Sequence, residues 1–110
     1  MTGNEYQALA QRTARKGLNV RDKLTNGVIG MCGESGECAD LVKKWLYQGH
    51  KWGDTREKLI EELGDCLWYC VETATAINID LENVMERNIN KLRARYPAGF
   101  DPDKSINREG

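Results

Sequence analysis

Gly33-Glu34-Ser35-Gly36-Glu37-Cys38-Ala39-Asp40, followed after a spacer by Glu62-Leu63-Gly64-Asp65, is the part of this chain that decides its fold. Glu34 and Glu37 stand three apart, so at about 100° per helical residue they share one face. Glu62 and Asp65 repeat the device, and the 24 residues between Glu37 and Glu62 suffice for a turn and an antiparallel return. Two such pairs facing each other gather four carboxylates at one point inside a helical bundle. Carboxylates held together repel, and desolvation raises their pKa values. A divalent cation removes that cost, and oxygen-only ligands favour Mg²⁺ or Mn²⁺ over zinc. The plainer alternative is a pair of solvated helix faces, where glutamates at this spacing are common. Against it, Leu41, Leu63, Cys66 and Leu67 beside the acids are apolar, and each pair carries a glycine where a larger residue would crowd the site.

Outward from these stretches the chain reads as helices, with nothing that alternates like a strand. Thr2 and Glu5 form a capping-box pattern for a first segment that stops near Gly17. The second segment runs from about Arg21 to Tyr47 and the third from a capping box at Asp54-Thr55-Arg56-Glu57 to about Ile77. A fourth begins after Asp80, a good N-cap, and must end before Pro97. Residues 97–110 read as a polar, largely irregular tail. The expected fold is therefore all-α, a bundle of about four helices, two of them long, forming one domain over residues 1–110. Long helices leave apolar flanks on so small a chain. Trp45, Leu46, Tyr47, Trp68 and Tyr69 are more than a monomeric bundle hides, which predicts a dimer or a dimer of dimers. Glycines at 27, 30, 33 and 36 lie at every third position of the second segment. They admit two compatible readings, close approach of another helix or space beside a ligand.

Composition removes several function classes. With 40% hydrophobic and 30% charged residues the chain is too apolar to be disordered. A formal charge of −1 offers no basic surplus for a nucleic-acid polymer or an anionic membrane. No apolar run approaches a membrane span, and the N-terminus lacks a signal peptide's apolar core, so a cytoplasmic location is expected. In that setting Cys32, Cys38, Cys66 and Cys70 are expected to be free core thiols, since Cys66 and Cys70 sit four apart inside a helical stretch and not across a turn, and Cys32 to Cys38 fits no common zinc knuckle. A di-iron bundle needs Glu-x-x-His from two helices. The one histidine, His50, falls in a predicted loop with no glutamate three residues before it.

At its acidic residues the sequence resembles the MazG-like family of all-α nucleoside triphosphate pyrophosphohydrolases. The family hallmark of Glu-x-x-Glu, a spacer and Glu-x-x-Asp is matched by Glu34, Glu37, Glu62 and Asp65. The match extends through Glu5-Tyr6-Gln7, Lys43-Lys44, the run from Glu62 to Tyr69, and the segment from Asn88 to Phe100. The resemblance implies Mg²⁺-dependent cleavage of an NTP or dNTP to the monophosphate and pyrophosphate, for housecleaning or control of nucleotide pools, in a dimer or tetramer. It makes the four acids the catalytic and metal-binding set. A carboxylate of the cluster, Glu37 for example, is available to take the proton of the attacking water, and the sequence does not choose among them. Asn88, Lys91 and Arg95 share one face of the fourth segment; they read either as a solvated charged face or, as the resemblance implies, as phosphate contacts. Lys44 lies seven residues after Glu37, near the same azimuth, as a phosphate ligand or an ordinary surface lysine. Asn26 matches an asparagine that helps hold the nucleoside in some family members. Tyr69, four residues after Asp65, stays on the metal face and suits the sugar or base. Trp52 reads as a cover for a base or a staple between helices. The rival from another class is a noncatalytic, metal-binding helical interaction protein; the intact acidic pairs argue against it.

Overall fold

The computed structural model describes residues 1–107. Its elements are α1 (Gly3–Gln11), α2 (Val20–Tyr47), α3 (Trp52–Ala76), α4 (Leu81–Arg95) and α5 (Pro102–Ile106), with no strand among the described residues. The all-α expectation holds. α2 and α3 have 28 and 25 residues, so at 1.5 Å per residue they run about 42 and 38 Å. They pack along their lengths as an antiparallel hairpin.

Helix starts follow the side chains able to accept an orphan N–H. The Thr2 hydroxyl accepts from the Glu5 N–H, the Asn19 carbonyl from Asp22 and the Asp80 carboxylate from Asn83. Three expectations need correction. α1 ends at Gln11, well short of Gly17, because the Thr13 hydroxyl and the Trp68 indole N–H both donate to the Ala10 carbonyl, at 2.7 and 3.1 Å. α3 starts at Trp52, before the expected cap at Asp54, and its N-cap Lys51 makes no side-chain capping bond. There the Thr55 hydroxyl donates back to the Lys51 carbonyl at 3.0 Å, and Trp52 packs on Trp45 with ring centroids 4.6 Å apart. Trp52 is thus the staple between α2 and α3. The tail is also more ordered than expected, since Asp101 caps α5 and the Tyr96 and Phe100 rings meet at 5.5 Å. Residues 108–110 lie outside the described residues.

α1 and α4 fasten to the far end of the hairpin. The Gln7 side chain donates to the Ile79 carbonyl and the Thr75 hydroxyl and accepts from the Leu81 N–H at 2.7 Å. Asn4 and Glu82 exchange backbone-to-side-chain bonds at 3.0 and 3.1 Å. Ala10, Val71 and Leu81 form the buried cluster here, with Tyr6 and Trp68 packed against it. These anchors fix α3 in rotation, and so decide which of its side chains face α2.

Candidate active site

Where α2 and α3 meet, one polar seam runs along the contact. From α2 it takes Glu34, Gly30, Asn26 and Lys23; from α3, Glu62, Asp65, Tyr69 and Glu72. The glycines let the helices close. A Cβ at Gly27 would overlap the Thr73 hydroxyl and come within 2.9 Å of the Thr73 backbone nitrogen. A Cβ at Gly30 would strike the Tyr69 ring. Gly33 and Gly36 meet nothing within 4 Å in this chain. The two readings of the glycine stripe thus divide by position: the first two serve helix approach and the seating of Tyr69.

At one end of the seam, Glu34, Glu62 and Asp65 bring one carboxylate oxygen each within 4.8 Å of one another. Glu62 Oε2 is buried with no hydrogen-bond partner. The Glu62 pKa is pushed up, first by a hydrogen bond shared with Glu34, then by burial and by the charges of Glu34 and Asp65. A shared proton is one way to hold such acids together, and a divalent cation is the other. The donor set is hard oxygen only and suits Mg²⁺ or Mn²⁺. No cysteine belongs to it: the Cys38 and Cys66 thiols share a weak hydrogen bond at 3.9 Å with no disulfide, and burial pushes the Cys38 thiol up. All four cysteines are free, as expected, but Cys32 and Cys70 are exposed on this chain and so are not core thiols.

The remaining candidates are distributed as follows. Glu37 is exposed and outside the three-carboxylate group. A cavity of about 320 Å³ at the acids is lined by Glu34, Asp65, Trp68 and Tyr69, so Lys44, Asn88, Lys91 and Arg95 lie outside it. The Lys44 ammonium sits 2.7 Å from Asp40, whose carboxyl is held below its ordinary range first by that hydrogen bond. Asn88, Lys91 and Arg95 ride on α4, which packs on α1 and α3. Tyr69 is a shared wall. On its other side a cleft of about 600 Å³ is lined by Asn26, Gly30, Leu18, Ile29 and other residues.

The far end of the seam holds residues that sequence reasoning missed. Glu72 is fully buried and accepts from Lys23 at 2.6 Å, Gln11 at 3.1 Å and Asn26 at 3.1 Å. Burial raises its pKa, but the three hydrogen bonds and the Lys23 charge together hold it below its ordinary value. The available signal was a lone carboxylate inside the run Val71-Glu72-Thr73-Ala74, seven residues after Asp65 and on the same helical face.

This is an all-α domain whose two longest helices bring three carboxylates together, a donor set able to hold a divalent cation, beside a cleft of ligand size. Residues 25–100 match the MazG nucleotide pyrophosphohydrolase domain, and the chain belongs to that family. It is 38% identical over 82 residues to the Gene 37 protein of Mycobacterium phage L5, a stretch covering 73% of this chain and 72% of that protein. No solved structure matches it. Among the described residues, no helix is long and apolar enough to cross a membrane.

Proposed function

We propose that this protein hydrolyses a nucleoside or deoxynucleoside triphosphate to the monophosphate and pyrophosphate, with Mg²⁺ as cofactor and Mn²⁺ as a substitute. The observation that carries the reading is the convergence of Glu34, Glu62 and Asp65 around the unpartnered, buried Glu62 Oε2. These three would hold the cation first; Glu37, one turn along from Glu34, is the fourth carboxylate of the site and stands outside them. When bound, the cation supplies Lewis acidity toward phosphoryl oxygens and offsets the repulsion between the acids and a polyanionic substrate. Glu37, the carboxylate left outside the group of three, takes the proton of the attacking water. The Tyr69 ring divides the phosphate end from a nucleoside end in the cleft beside Asn26. Lys91, Arg95 and Asn88 on α4, and Lys44 on α2, supply donors to the phosphates. A second copy covers the apolar flank of α3, where Ile60, Leu63 and Leu67 stand exposed, giving a dimer or tetramer. Pool control or removal of unwanted nucleotides in the cytoplasm is the corresponding role.

The test is a nucleotide panel with product analysis and calorimetric Mg²⁺ titration on wild type, Glu62→Gln and Asp65→Ala. Pyrophosphate and monophosphate should appear with no diphosphate, and both variants should lose activity and metal binding while keeping native helicity. Either variant at full activity, or orthophosphate in place of pyrophosphate from pure protein, overturns the reading.

A further inference from the structure

An ionised carboxylate only accepts hydrogen bonds, and Glu72 is ionised against the Lys23 ammonium 2.6 Å away. The Asn26 carboxamide reaches Glu72 at 3.1 Å, so the atom turned toward the carboxylate is its nitrogen. The direction follows from chemistry alone, because the amide nitrogen is the only Asn26 side-chain atom that can donate to a carboxylate. Asn26 Oδ1 has no partner among the described residues. Asn26 also lines the 600 Å³ cleft, whose other walls include Arg15, Leu18, Asp22, Thr25, Ile29 and Tyr69. A cleft with mixed walls gains selectivity from polar atoms held in a fixed direction, and among these the Asn26 oxygen is the one whose orientation a buried ion pair sets. Asn26 stands eight residues, about 12 Å of helix, from Glu34, a span comparable to that between the phosphates and the nucleoside of a triphosphate.

We infer that Glu72 is a positioning residue: it fixes the Asn26 carboxamide with its oxygen toward the cleft, so that the site selects nucleotides presenting an N–H or O–H donor there. The inference rests on the nucleotide reading above but concerns binding, not turnover. The donor is either on the base, as an exocyclic amine or ring N–H, or on the sugar, as a hydroxyl. Each source has its own matched pair of ligands.

The experiment titrates Mg²⁺ complexes of non-hydrolysable α,β-imido deoxynucleotides into wild-type protein by calorimetry. Cytosine is paired with 2-pyrimidinone, adenine with purine, thymine with N3-methylthymine, and each 3′-hydroxyl nucleotide with its 3′-deoxy counterpart. At least one pair should split by about tenfold in Kd, which corresponds to about 1.4 kcal/mol, and the pair that splits identifies the donor. In Asn26→Leu the split should fall to within about twofold, the scale of a lost polar recognition element. Glu72→Gln should do the same, because a glutamine side chain can donate to Asn26 Oδ1 and turn the amide round. Glu72→Asp keeps the charge beside Lys23 but withdraws from Asn26, and serves should the glutamine variant lose its helical circular dichroism. No split in the wild type, no binding of any ligand, or an undiminished split in the folded Glu72 variants overturns the inference. Pyrophosphate release from the parent nucleotides is read separately. Discrimination without hydrolysis sinks the hydrolase reading and leaves this one standing.

Discussion

Lys23 and Glu72 show what a buried charge requires of its neighbours. Their side chains are 17% and 0% exposed, so solvent screens the pair little. Removing one partner strands the other, and Lys23→Met should lower the unfolding free energy by about 3–5 kcal/mol in chemical denaturation. The sign of the pH effect follows from the lowered Glu72 pKa. A depressed carboxylate contributes stability that is complete above the unfolded value, 4.5 here, and drains away as pH falls through the lower folded value. The stability difference between wild type and Glu72→Gln should therefore be constant above that value and shrink in acid. A difference that grows on acidification would refute the ionised assignment. Glu62 is the opposite case. Its raised pKa marks a carboxylate whose charge the bare fold does not stabilise.

The helices themselves were legible wherever one side chain decides a boundary. Thr2 and Asp80 cap α1 and α4 as read from the sequence. Boundaries set by tertiary contacts were not legible, because the Trp68 indole that helps end α1 and the Trp45 ring that receives Trp52 come from elsewhere in the chain. The acidic residues were legible as two pairs, one on each helix; that Glu34 joins Glu62 and Asp65 while Glu37 stays exposed depends on how α2 and α3 pack, which spacing along one helix does not fix. Glu72 was missed because its place two turns after Asp65 shows the face it shares but not the burial and the Lys23, Gln11 and Asn26 partners that other elements supply. The glycines of α2 give a prediction at this scale. Gly27→Ala pushes against the Thr73 backbone and should destabilise, whereas Gly36→Ala meets open space on this chain. In an exposed helix interior that change gains up to about 1 kcal/mol, so thermal melts of the two variants should move in opposite directions. A fall for both would mean that something packs on Gly36. For α4, Lys91→Ala should weaken all nucleotides alike by about ten- to a hundredfold, the 1.5–3 kcal/mol of a charge-assisted bond. A change in base preference instead would mean that Lys91 reads the nucleoside.

The whole molecule is more open than its length warrants. Its radius of gyration is 17.0 Å, against about 13 Å for a compact chain of this size. Its accessible surface is 8163 Å², against about 6,200 Å² expected for a folded monomer of this mass. The excess, about 2,000 Å², is on the scale of what a permanent oligomer buries on each subunit. Trp45, Leu46, Ile60, Leu63 and Leu67 contribute to it. Sedimentation at micromolar concentration should give a dimer or larger species, and the melting temperature should rise with protein concentration. A monomer of 12.5 kDa with native helicity and a concentration-independent melt would contradict the second-copy assignment.

The seat of Tyr69 on Gly30 bears on how this chain can drift. Every single-base change that alters a glycine codon adds a Cβ or ends translation, so no missense step leads away from position 30 without striking the ring. Gly33 and Gly36 carry no such obstacle within the chain. A saturation library selected for folding alone should return glycine at 30 and a mixture at 33 and 36, unless an assembled partner imposes its own veto there. The tyrosine that divides the two cavities thus confines position 30 to the one residue without a Cβ, a constraint no route of mutation can bypass while the ring keeps its seat.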